Sequence, residues 1–234
     1  MKLLLTSNGF INSPLEKDFL DMTEGKTNLK VAVIPTAGDP IEWVPPKEGD
    51  TNYDNFVPKL VGKSDDGKGE YYDYFKNKGF DVVVVDLKED QNLVKEKLQN
   101  VDIIFVGGGD VNYLLDWAKK SKLDSYLKDI LNNDVLYIGL SAGNGLLMPD
   151  IGFTWWEPTM KADHAGFGIV DFVLVPHQKE SEESDKVKKY TERKKYLQTV
   201  MDFPWKVYLL QDGQAIKVDG DKVEHIGEGI KKFI

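Results

Sequence analysis

The sequence predicts an α/β fold, a three-layer sandwich with a mainly parallel sheet and helices on both faces. Two observations carry this. Short β-branched apolar runs alternate with longer helix-like stretches through the first 140 residues. The runs are almost wholly apolar, as in strands covered on both faces, rather than alternating as in a sheet with one wet face. At 234 residues the chain suits one sizeable core. Residues 1–234 are therefore expected to form a single α/β domain.

In chain order, the expected strands are 3–5, 31–34, 82–85, 103–106 and 135–138, bounded by Gly, Pro or Asn. Helical patterns fall between them at 14–23, 70–78, 91–99 and 111–129. Ser13-Pro14 reads as an N-cap followed by proline at the first helical position. Residues 172–175 form a further buried run, and 184–200 a highly charged amphipathic helix. Strands at 207–210, 215–218 and 223–226 are joined by Asp212-Gly213 and Asp219-Gly220, both turn dipeptides. They are expected to form a small antiparallel C-terminal meander. Residues 37–69, with Pro40, Pro45, Pro46 and Pro58, exceed an ordinary connection. They read as a surface insertion or as a lid that Trp43, Tyr53 and Phe56 would help to dock.

Composition narrows the function classes. The formal net charge of −9 disfavours nucleic acid and anionic membranes as partners. The absence of cysteine rules out disulfides, thiolate metal sites and a cysteine nucleophile. The initial apolar run, Leu3-Leu4-Leu5, is too short for a signal peptide, and no stretch approaches transmembrane length. A cytoplasmic location is expected, with no metal or cofactor.

Gly139-Leu140-Ser141-Ala142-Gly143 follows an expected strand and opens an expected helix, the pattern of a nucleophile elbow. Small residues let the turn close and lift the Ser141 hydroxyl above the sheet edge, where the Ala142 NH faces a developing oxyanion. A glycine-rich strand-to-helix turn without chemistry is the plainer alternative. One strand earlier, Gly107-Gly108-Gly109-Asp110 fits neither a dinucleotide fingerprint nor a P-loop. Gly109 is a second candidate oxyanion donor, or part of a tight packing turn, and Asp110 stands at an N-cap position.

A serine nucleophile needs a base. His177 follows the buried run 172–175 and Pro176, at the sheet edge where Ser141 emerges, and is favoured over His164 in a loop. His225 alternates with Val223 and reads as a solvent-facing strand residue. With the order serine, acid, histidine, the orienting carboxylates on offer are Asp150, Glu157, Asp163 and Asp171. Glu157, flanked by aromatics in Trp155-Trp156-Glu157, is preferred.

Leu3-Leu4-Leu5-Thr6-Ser7, Ile34-Pro35-Thr36-Ala37, Val106-Gly107-Gly108-Gly109, Tyr137 to Gly143, Val175-Pro176-His177 and Leu210 to Ala215 together resemble the peptidase E family. These are the aspartyl dipeptidases and cyanophycinase relatives of the S51 serine peptidases. The resemblance implies a class I glutamine amidotransferase-like fold with serine in place of cysteine. It implies Ser141 as nucleophile, His177 as base, and oxyanion donors at Gly109 and Ala142. Substrates would be small peptides, among them dipeptides with an N-terminal aspartate, hydrolysed without metal by a monomer or homodimer. Arg193, the single arginine, lies where that family binds the aspartate, and a solvated helix charge is its other reading. Asp110 and Asn144 depart from the family pattern, and a carboxylate at 110 would bind a peptide α-amino group or repel an acidic side chain. A non-catalytic peptide or amino-acid binding protein, or a hydrolase of another acyl substrate, is the alternative.

Overall fold

The computed structural model describes residues 1–39, 41–44, 57–60, 69–155, 164–179 and 183–234. Its elements are β1 (Lys2–Thr6), α1 (Leu15–Met22), β2 (Lys30–Ile34), β3 (Ile41–Val44), β4 (Val57–Leu60), α2 (Glu70–Asn77) and β5 (Asp81–Val84). Then follow α3 (Gln91–Leu98), β6 (Ile103–Val106), α4 (Val111–Lys120), α5 (Leu127–Leu131), β7 (Leu136–Leu140) and β8 (Phe172–Gln178). The last elements are α6 (Glu183–Val200), β9 (Lys206–Gln211), β10 (Gln214–Asp219), β11 (Lys222–Gly227) and β12 (Lys232–Phe233).

Seven strands form the main sheet in the order β11-β10-β1-β7-β6-β2-β5. The five strands from β1 to β5 in that order run parallel, and β10 and β11 extend the β1 edge antiparallel. The period of two along each strand divides the core. Leu3, Leu5, Ala32, Ile34, Ile104 and Val106 pack on one face with Val94 and Leu98 of α3, Leu114 of α4 and Leu127 of α5. Leu4, Val31, Val33, Ile103 and Phe105 pack on the other face with Leu15 and Phe19 of α1 and Phe75 of α2. The continuous apolar runs thus mark strands buried from both sides, and the expected sandwich forms.

Three expectations change. The helical pattern at 111–129 breaks at Lys122, whose φ of 61° lies in the left-handed region, so α4 and α5 are separate. The segment after Ser141 is a 3-10 run, 141–146, rather than an α-helix. Two glycines there, Gly143 and Gly145, weaken α-helical winding.

The expected C-terminal meander is divided. β10 and β11 do pair as a hairpin, but β9 leaves them to pair parallel with β8 and antiparallel with β12 in a second, three-stranded sheet. β8 therefore lies outside the main sheet. Within 37–69, β3 and β4 pair antiparallel, with Trp43 opposite Pro58. Tyr53, Phe56 and most of that insertion lie outside the described residues. Among the described residues no helix is long and apolar enough to cross a membrane.

Candidate active site

The elbow forms at the C-terminal end of β7. Ser141 is held at φ 49°, a strained backbone for a residue with a side chain. Space dictates the flanking glycines: a Cβ on Gly143 would collide with the Val106 carbonyl, and one on Gly139 with the Asn144 side chain. The turn is tied to its neighbours. Tyr137 Oη donates to Gly143 O at 2.6 Å, Thr6 Oγ1 donates to Gly139 O at 2.9 Å, and Asn144 Nδ2 donates to Thr6 O at 2.9 Å. Asn144 thus locks the elbow onto the end of β1.

His177 also has a left-handed backbone, with φ 59°. The cause is a bulge: Val175 pairs with Leu209 and Gln178 with Gln211, so β8 spends one more residue than β9 over that interval. The bulge turns His177 toward the main sheet. Its Nε2 lies 2.8 Å from Ser141 Oγ, and its Nδ1 lies 2.9 Å from Asp212 Oδ1. With the ring proton on Nδ1, the Nε2 lone pair faces the serine hydroxyl.

Ser7 joins the set from the end of β1. Its NH donates to Gln214 O at 3.0 Å, its hydroxyl donates to Asp212 Oδ1 at 2.8 Å, and it accepts the His177 NH at 2.8 Å. One fully buried hydroxyl therefore fixes both the histidine backbone and the carboxylate. The hydrogen bond from His177, followed by that from Ser7, holds the Asp212 carboxyl below its usual range against the opposing effect of burial. Asp212 is ionised at neutral pH.

Beside Ser141 opens a cavity of about 270 Å³ to which Gly109 and Ala142 contribute. Gly109 takes φ 142°, and a Cβ there would strike the Ala37 carbonyl, so only glycine fits. Asp110 caps α4, its carboxylate accepting the Tyr113 NH at 2.9 Å.

Glu157, the expected orienting acid, lies outside the described residues, as does Asp163. The carboxylate on His177 Nδ1 is Asp212. Asp171 sits just before β8, at the end of the strand away from His177. Asp150 is buried, accepts the Gly152 NH, and is pushed up to about 6 by burial. The sequence pattern presents Asp212 as a turn residue before Gly213, and the order serine, acid, histidine places the acid ahead of His177. Its position at the C-terminal end of a buried run was the available signal.

Arg193 is no solvated helix charge: it is 6% exposed, and its positive charge acts on Asp150. Neither Arg193 nor Asp110 lines the cavity beside Ser141. His164 precedes the Ala165 bridge to Asp150. His225 is half-buried rather than solvent-facing. Its Nε2 is 3.0 Å from Gln214 Oε1, and burial lowers it to about 4.

The arrangement sets a serine hydroxyl, an imidazole and a carboxylate in one hydrogen-bonded row, next to a cavity that Gly109 and Ala142 help to line. Comparison with known proteins bears on the family. The model of peptidase family S51 matches residues 50–226. A Drosophila melanogaster protein named "Probable alpha-aspartyl dipeptidase" is 26% identical over 74% of this chain and 72% of its own length. A Streptomyces coelicolor peptidase E is 26% identical over 56% of this chain and 55% of its own. Among solved structures, a protein assigned to peptidase E from Listeria monocytogenes EGD-e superposes with a TM-score of 0.65 at 22% identity, covering 97% of this chain and 98% of that one. A peptidase from an acI-B1 Actinobacterium gives 0.61 at 14%, covering 100% and 93%. These two likenesses establish the fold, and the match to more than half of the sequence establishes the family: the chain belongs to peptidase family S51.

Proposed function

We propose that the chain is a serine peptidase acting on small peptides, with Ser141 as nucleophile, His177 as general base and Asp212 as the orienting carboxylate. The observation that supports it is the unbroken hydrogen-bond chain from Ser141 Oγ through both ring nitrogens of His177 to Asp212. His177 Nε2 takes the hydroxyl proton as Ser141 Oγ attacks the peptide carbonyl carbon, and the backbone NH groups of Gly109 and Ala142 hold the oxyanion. The proton passes from His177 to the departing amine as the C–N bond breaks. Water, deprotonated by the same imidazole, then releases the acyl group and restores the Ser141 hydroxyl. Asp212 keeps the proton on Nδ1 and stabilises the imidazolium.

Dipeptides are the proposed substrates, since the Drosophila relative is named for dipeptide hydrolysis. The test is a dipeptide panel with wild type, Ser141→Ala and Asp212→Asn. Ser141→Ala should be inactive with an unchanged fold. Asp212→Asn should lose about 10³–10⁴-fold in kcat, the scale seen when a triad carboxylate is neutralised. Hydrolysis retained by Ser141→Ala would overturn the assignment.

A further inference from the structure

The cavity beside Ser141 has a distinctive wall. Val111 comes from the first turn of α4, Met148 and Ile151 from the chain after the elbow, Leu174 and Val175 from β8, and Tyr190 from α6. No described residue lining it is charged. The one carboxamide there, Asn144, directs its nitrogen to the Thr6 carbonyl. The volume, about 270 Å³, lies just under the roughly 300–1,000 Å³ of sites for drug-sized ligands. It is suited to a single amino-acid side chain.

Arg193 is about one turn beyond Tyr190 on α6 but is withdrawn into the core, 6% exposed, and does not reach the wall. A fully buried carboxylate, Asp150 at 4% exposure, already experiences its charge. Asp110, next in sequence to Gly109, is held to α4 as its cap and does not line the cavity. A carboxylate entering this cavity would leave water for a wall that, among the described residues, is largely apolar and carries no cation. An aliphatic or thioether side chain would lose only its hydration shell.

We propose that this cavity receives the side chain of the residue whose carbonyl Ser141 attacks, and that it selects apolar N-terminal residues over aspartate. The inference rests on the reading of Ser141 as the acylated nucleophile. It departs from the aspartyl preference printed in the name of the Drosophila relative. Discrimination comes from desolvation of the wrong side chain, and pockets of this kind separate substrates by about 10–200-fold for each methylene gained or lost.

The test measures kcat/KM for Leu-Leu, Met-Leu, Asn-Leu, Asp-Leu and Lys-Leu. In parallel it measures how well each dipeptide protects Ser141 from a fluorophosphonate probe. Leu-Leu and Met-Leu should exceed Asp-Leu by at least about 10-fold in turnover, in protection, or in both. Val111→Lys, which adds a cation at the partly exposed N-terminal turn of α4, should shift that ratio toward Asp-Leu by at least about 10-fold. Labelling of Ser141 together with equal or better use of Asp-Leu would overturn the selectivity and leave the serine peptidase standing. Labelling with no protection by any dipeptide would also overturn it. Neither labelling nor hydrolysis would overturn the reading of Ser141 itself, and this inference with it.

Discussion

Three titratable groups, Asp150, His225 and Asp212, are pushed in different directions by their surroundings. Burial raises Asp150 from 3.8 to about 6, so the folded chain holds a proton that the unfolded chain releases, and stability falls as pH rises across that window. Burial lowers His225 from 6.5 to about 4, so the unfolded chain takes up the extra proton, and stability falls as pH drops from about 6.5 toward 4. The two slopes oppose each other. The contributions of these two groups to wild-type stability should largely cancel between about pH 4 and 6. In Asp150→Asn the His225 slope stands alone, and the variant should weaken on acidification by up to about 1.4 kcal/mol per pH unit. His225→Gln should weaken on alkalinisation instead. Urea melts at half-unit pH steps measure both. Asp212, held low by its hydrogen bonds, acts below this window. Legibility at this scale followed local pattern. Ser141 and His177 were visible because each ends a buried run beside small or rigid residues. Asp212 was not, because its partnership with His177 depends on β9 lying against β8, a pairing that periodicity does not encode. The burial of His225 likewise depends on Gln214 across a hairpin.

At the scale of the element, the elbow and the triple-glycine turn are shaped by what a methyl group would strike. A Cβ on Gly143 would meet the Val106 carbonyl, and one on Gly109 the Ala37 carbonyl, both rigid backbone. Gly143→Ala and Gly109→Ala should each cost about 1–3 kcal/mol in chemical denaturation and, by displacing the NH groups proposed to hold the oxyanion, lower kcat. Gly69→Ala, with open space around it and no left-handed backbone, should change denaturation by no more than a few tenths of a kcal/mol to about 1 kcal/mol. The glycine spacing in the sequence was sufficient to place both turns. The α-helix expected after Ser141 failed because a turn with this many glycines settles into a tighter 3-10 run.

Over the whole molecule, the site straddles two sheets. Ser141 directly follows β7 of the seven-stranded sheet, His177 lies on β8, an edge strand of the three-stranded one, Asp212 lies in the turn from its central strand β9 to β10, and Ser7 bridges them. Ser7→Ala removes both side-chain bonds and should lower kcat by about 10–100-fold, the worth of a hydrogen bond to a charged group. The loss should exceed any change in KM, since Ser7 acts through His177 and Asp212 rather than on substrate. Ser7→Thr, which keeps the hydroxyl, should recover part of the rate. The alternation of strands and helices made the large sheet readable from sequence. The second sheet was hidden because β9 and β10 are joined by a short turn, and sequence proximity favoured a meander over the long-range pairing with β8.

That bridging has a consequence for synthesis at the ribosome. Some 70 residues separate Ser141 from Asp212, and Ser7 is joined to Asp212 across most of the chain. At the usual 5–20 residues per second, about 4–14 s pass between the emergence of the nucleophile and that of its carboxylate. During that interval His177 and Ser141 precede the carboxylate that His177 Nδ1 meets in the folded chain. The dispersal of these residues along the chain sets an order of events: the hydrogen-bond chain from Ser141 through His177 to Asp212 closes only after β9 has been translated and docked against β8.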